Sequence, residues 1–223
     1  MIEPEERNLR RHGRTRRGRI KGGKLSTLFQ NMKIEVEDIS IFNRRSVTLT
    51  IDDIRVVSSQ LGYEPLNIVD VAGRENGIPR VAILFPLNRN ESIGGRYASK
   101  DFLPFPTIIW MTCPLLKMRI SGLEKDGWIS KLENRLEGDD EAQLKMINAH
   151  NMYAEKRWNM LSLEDIELVH SRARWTDALR STGIAGMRNF KSVKCLHCHY
   201  SHYLACPEHE NIIGKWVHDL LVL

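Results

Sequence analysis

The chain changes character at Pro106-Thr107-Ile108-Ile109-Trp110-Met111-Thr112-Cys113-Pro114. An apolar run rich in β-branched residues reads as a buried strand. Proline is favoured in the first turn of a helix, where its missing N–H costs nothing. The stretch therefore predicts a strand running straight into a helix, with Cys113 in the capping region. The partial positive charge at a helix N-terminus stabilises a thiolate, so Cys113 is a candidate metal ligand or nucleophile.

Upstream of this junction the pattern is strand-like. Leu66 to Ala72 and Pro79 to Leu87 are apolar runs flanking Arg74-Glu75-Asn76-Gly77, and an Asn-Gly turn between such runs predicts a β-hairpin. A helix is expected over Asp52 to Leu61, capped by Asp52 or Asp53 and stopped by Gly62. Pro86 to Phe105, with Gly94-Gly95, reads as one long loop. Downstream of Pro114 the helical period persists almost to the end. Breaks fall near Gly127, Gly138, Ser162, Gly183 and Pro207, and a single helix is expected from Ser162 towards Leu179. Strands first and helices later give an α+β fold, a small antiparallel sheet of about three strands followed by a largely helical C-terminal half.

The last part of that half holds the densest chemistry. Three of the four cysteines and three of the eight histidines lie in Lys194-Cys195-Leu196-His197-Cys198-His199-Tyr200-Ser201-His202-Tyr203-Leu204-Ala205-Cys206. On a helix turning about 100° per residue, with Cys195 at zero, Cys206 falls near +20°, His199 near +40°, His202 near −20° and Cys198 near −60°. His197 points the opposite way on that wheel. Five soft or borderline donors on one arc are hard to explain as packing alone, although single cysteines and helical histidines are commonly core residues. Cys195 and Cys198 on one helix are poorly placed to bond each other.

With 223 residues and 42% hydrophobic content, the chain can bury one core with an appended tail. No apolar run is long enough to span a bilayer and no signal peptide is visible, so an intracellular, most simply cytoplasmic, protein with reduced thiols is expected. The net charge of +5 is uneven: residues 7–24 carry nine Lys and Arg and no acid, and subtracting them leaves the rest at −4. That Arg-rich segment, residues 1–24, has almost nothing apolar to bury and is expected to be disordered, followed by a transition over 25–50 and a single α+β domain over 51–223. Residues 7–24 could bind polyanions or serve as a nuclear or organellar targeting signal.

Several blocks resemble a known family. Pro104-Phe105-Pro106-Thr107 with Trp110-Met111-Thr112-Cys113-Pro114 resembles the "PFPT…LTCP" signature of the domain of unknown function family number five hundred and one. Val193-Lys194-Cys195-Leu196-His197 with His202-Tyr203-Leu204-Ala205 resembles its "VKCLH…HYLA" block. Ser121-Gly122-Leu123-Glu124-Lys125-Asp126-Gly127 resembles "S.LE..G", and Ala149-His150 with Tyr153 and Arg157 resembles "AH..Y…R". The similarity spans residues 52–221 and names a domain without naming a reaction. It implies that Cys113, Cys195, His197, His199 and His202 recur together, with His150 and Arg157 as a second pair, and that Cys198 and Arg89 to Lys100 are additions.

Three functions are compatible with these residues. The first is a metal site, Zn²⁺ by donor type, with Cys113, Cys195, His199 and His202 as ligands. The second is a thiol enzyme, hydrolase-like, with Cys113 as nucleophile, His199 or His202 as base, and His150 and Arg157 as further catalytic candidates. The third is binding of nucleic acid or an anionic surface through the Arg-rich tail.

Overall fold

The computed structural model describes residues 46, 48–89 and 102–222. The expectations for the Arg-rich segment 1–24, for most of the transition segment and for 90–101 lie outside the described residues.

Helix α1 (Ile51–Leu61) starts at Thr50, whose hydroxyl accepts from Asp53 N–H while the Asp53 carboxylate accepts from Thr50 N–H. Thr50, not Asp52 or Asp53, is thus the cap, and Gly62 at φ 83° closes the helix in the left-handed region. Strands β1 (Ile68–Ala72) and β2 (Val81–Leu84) form the expected hairpin. Its tip is closed by Glu75 and Ile78, which exchange both backbone hydrogen bonds, with Asn76 and Gly77 at φ 50° and 80°. These are the positive φ values that an Asn-Gly turn supplies at little cost.

Two short strands, β3 (Leu87–Arg89) and β4 (Phe102–Pro104), pair antiparallel where one long loop was expected. Strand β5 (Ile109–Met111) completes a three-stranded antiparallel sheet in the order β1-β2-β5, with Ala82 opposite Trp110. Strand β2 is buried along its whole length because both its faces are covered. Ala82 and Leu84 meet Val57 of α1 on one face, and Val81 joins the helical core on the other.

From Pro114 the chain forms α2 (Pro114–Lys125), α3 (Trp128–Glu137), α4 (Asp140–Asn159), α5 (Leu163–His170), α6 (Ala173–Arg180), α7 (Leu196–Ala205) and α8 (Ile212–Val222), with short 3₁₀ turns at Ile184–Gly186 and Pro207–His209. The single helix expected after Ser162 is two, parted at Ser171-Arg172. Among the described residues no helix is long and apolar enough to cross a membrane.

Helix α7 sits centrally, against β5 on one side and α8 on another. The approach to α8 is close enough that a Cβ on Gly214 would lie 2.4 Å from Tyr203 Cβ and 2.6 Å from the His199 carbonyl oxygen. Helix α4 pins the strand side of the molecule. Tyr153 Oη accepts from Ile108 N–H at 2.8 Å, and the fully buried Arg157 donates to the carbonyls of Leu179, Pro106 and Thr182. Burial without a carboxylate partner lowers the Arg157 pKa to about 10. Arg157 thereby holds Pro106 and the end of α6 in place.

Candidate metal centre

Two clusters of donors grow from α7, on different faces. The inner one is built on His199 and His202, three residues apart and both fully buried. Asn211 organises it. Its Oδ1 accepts from Gly214 N–H at 2.9 Å, which fixes the amide, and its Nδ2 donates to His202 Nδ1 at 3.0 Å and to the His199 carbonyl at 3.2 Å. With Nδ1 of His202 accepting, its Nε2–H donates to His209 Nδ1 at 2.8 Å. His209 Nε2–H then faces Glu208 at 3.4 Å. The chain Asn211, His202, His209, Glu208 therefore uses every nitrogen of two imidazoles.

His150 approaches from α4. Its Nδ1 accepts from Ile184 N–H at 3.0 Å, and its ring stacks on Phe190 at 4.6 Å. Gly183 leaves room for it: a Cβ there would lie 2.2 Å from His150 Nδ1. The far nitrogens of His150 and His199 are buried without a partner. Burial pushes both rings towards neutrality, His150 to about 3 and His199 to about 4, and holds His202 well below the ordinary imidazole value. His202, Cys206 and His209 bring three donor atoms within 4.8 Å of one another. Both His202 nitrogens are committed, burial raises the Cys206 thiol to about 11, and the Lys156 ammonium lies near enough to disfavour more positive charge.

The outer cluster joins the N-terminus of α7 to α2. Cys195 is not in the helix: it is the N-cap, extended at φ −149° and ψ 115°, so Cys198 is the third helical residue. Glu124 on α2 accepts from Leu196 N–H at 2.8 Å, an anion placed at a helix N-terminus. His197 faces α2, and its Nε2 donates to the Lys117 carbonyl at 3.1 Å, with Ser121 Oγ at 3.3 Å. A carbonyl can only accept, so Nε2 carries a proton and Nδ1 is turned to Glu124 Oε1 at 3.2 Å and Cys195 Sγ at 4.0 Å. Glu124, Cys195 and His197, all half-buried, bring their donor atoms within 4.8 Å of one another.

The electrostatics of this group are opposite to those inside. The Cys195 thiol is driven well below its ordinary value, first by the neighbouring Cys198 thiol and then by His197. Cys198 is driven up by Cys195, because one negative charge is shared and it rests on Cys195. His197 rises to about 9, first through Cys195, with the Lys117 carbonyl and Glu124 adding to it.

Beside this cluster lies a cleft of about 330 Å³, lined by Thr107, Ile109, Trp110, Met111, Lys117, His197, Cys198 and Ser201. Its walls come from β5 and its approach, from α2 and from α7. The model of a family described as protein of unknown function (DUF501) matches residues 71–219, well over half of the chain. The chain belongs to the DUF501 family. No curated protein and no solved structure matches it. The DUF501 region includes both donor clusters and the cleft and leaves out α1.

The residues read from sequence are thus distributed over three places. Cys195 is in the outer cluster, and His199 and His202 are in the inner one with His150. Cys113 caps α2 with no side-chain cap hydrogen bond and belongs to neither group of close donors. Sequence reasoning missed Glu124 and set aside His197 and Cys198. The wheel failed because Cys195 and Cys206 are the N-cap and C-cap of α7, off its helical turns. The same fact puts Cys195 at the cap and Cys198 in the first turn of α7, not both within the helix.

Proposed function

We propose that this protein binds a transition metal ion, Zn²⁺ by the chemistry of the donors, at the close donors Glu124, Cys195 and His197, with Cys198, which lies outside that group, as the fourth. One observation carries the reading: the Lys117 carbonyl holds the far nitrogen of His197, so that Nδ1 is aimed at the Cys195 sulfur and the Glu124 carboxylate. A metal-ligating histidine has its other N–H held by such an oxygen, which fixes tautomer and orientation. Zinc takes nitrogen near 2.0 Å and sulfur near 2.3 Å, which sets these atoms about 3.5 Å apart around a tetrahedral ion. The 4.0 Å and 3.2 Å separations around Nδ1 need only small adjustments to meet that requirement. With Cys198 as the fourth donor the centre is closed and structural, and without it a position opens towards the cleft.

The test is metal content. Full-length protein purified under reducing conditions from a metal-replete host should carry about one equivalent of zinc or another transition metal, and His197→Ala should lose it. Less than about a tenth of an equivalent in correctly folded protein would sink the reading.

A second reading has its own observation. Cys195 beside His197, with Glu124 on the same imidazole, follows the order nucleophile, base and orienting acid. It moves the thiol-enzyme alternative from Cys113 to Cys195. Metal-free protein that still reacts stoichiometrically at Cys195 with an activated acyl ester would favour it.

A further inference from the structure

We infer that Cys195 and Cys198 are a redox-active dithiol, which closes to an intramolecular disulfide by exchange with a disulfide substrate. The spacing is Cys-Leu-His-Cys, and its place in the fold gives it meaning. The first cysteine is extended and caps α7, and the second is three residues on, in the first turn. An N-cap side chain and the N3 residue face each other, which is the basis of the capping box. Their Cα atoms are then about 5–6 Å apart, inside the range that a disulfide spans. Both residues are half-buried rather than sealed.

Cys195 is itself partly exposed, and the cleft lies beside it. Cys198 and His197 are part of its wall, and Ile109, Trp110 and Met111 offer an apolar surface opposite. A peptide disulfide or a low-mass disulfide is the class of partner this cleft admits. The other two cysteines are differently placed: Cys206 is buried, and Cys113 has no cysteine beside it in either group of close donors.

The exchange balances without a further reagent. The Cys195 thiolate attacks one sulfur of the substrate disulfide, whose S–S bond breaks, giving a mixed disulfide and one substrate thiolate. That thiolate takes the Cys198 proton. The Cys198 sulfur then attacks Cys195, the mixed disulfide breaks, and the second substrate thiolate leaves with the proton carried by His197. Two electrons pass from the cysteine pair to the substrate, which departs as two thiols, and Cys195 is joined to Cys198. Where the metal reading holds, and only there, closing also removes two sulfur donors and releases the ion.

The probe is glutathione disulfide, added in excess to full-length protein that has been treated with chelator, followed by alkylation, digestion and mass mapping. Cys195 and Cys198 should lose their alkylation together and appear as one linked peptide. Cys198→Ser should stop at a single glutathione on Cys195, and Cys195→Ser should leave Cys198 alkylatable. The inference is overturned if Cys195 and Cys198 both stay alkylatable in folded protein, or if Cys198→Ser takes up no glutathione. Metal content measured on the same preparations separates the two readings. Closure in protein that never held metal removes the metal centre alone, whereas one equivalent of metal with no closure after chelation removes the dithiol alone.

Discussion

His197 and His199 are two residues apart on one helix, yet their chemistry is opposite. His199 joins His150 and His202 in the interior, where burial is the largest influence on each ring and keeps it neutral. His197 meets the Cys195 sulfur and the Glu124 carboxylate at a half-exposed edge, and those charges outweigh its burial. Two steps of about 100° along one helix put the two rings in opposite surroundings. Residue type and density in sequence do not distinguish them; the company each ring keeps does.

Acid should strain this comparison most. His150, His199 and His202 are held below the ordinary value of 6.5, so between there and about pH 4 the unfolded chain binds protons that the folded chain refuses. Stability must then rise with pH in that window and fall on acidification, by about 2 kcal/mol per histidine between pH 7 and 5. For three rings the loss is about 6 kcal/mol, a large part of a typical domain's stability. His197, raised to about 9, behaves in the opposite sense: its contribution is complete below 6.5 and is lost as pH climbs through about 9. Chemical denaturation of the full-length protein across pH 5 to 7 measures the difference. A flat profile would mean that the inner rings are not held neutral.

Truncation should part the two regions next. His202→Ala removes the link between Asn211 and His209, leaving a buried amide N–H and a buried imidazole nitrogen unpaired beside a cavity. The expected cost is about 3–5 kcal/mol. His197→Ala in metal-free protein gives up its hydrogen bonds to the Lys117 carbonyl and the Glu124 carboxylate at a half-exposed edge, a cost of about 1–2 kcal/mol. Urea midpoints that shift equally for the two variants would erase the distinction between the inner and outer clusters.

The fold was far more legible in the sequence than the site. The Asn76-Gly77 turn, the strand ending at Cys113-Pro114 and the capping pair Ser162 and Asp165 are local signals, dictated by backbone conformation and hydrogen bonding over a few residues. The break between α5 and α6 has no such signal, since Ser171 and Arg172 are tolerated in helices, and tertiary packing decides it. The site fails to show for the same reason on a larger scale. Glu124 reaches Leu196 across 72 residues of chain, and the key acceptor for His197 is a main-chain oxygen, which no side-chain pattern reveals. A pointer did exist: Glu124 lies in the Ser121 to Gly127 stretch that carries a family motif.

That main-chain acceptor leads to the smallest expected effect. Lys117 contributes its carbonyl to His197 and is one of the residues lining the cleft. Lys117→Ala keeps the carbonyl and the α2 backbone, because alanine is at home in a helix. Metal content and the urea midpoint should therefore stay within error, although the side-chain charge is lost. Glu124→Gln is the paired control. It keeps the shape and an oxygen for Leu196 N–H but removes the negative charge of a proposed ligand, so metal affinity should fall by at least the roughly 10–100-fold that loss of an outer partner gives. Chelator competition on both variants reads the contrast directly. If Lys117→Ala lost the ion as fully as Glu124→Gln, the cation of the side chain and not the oxygen of the main chain would be organising the centre, and His197 would have been given the wrong partner.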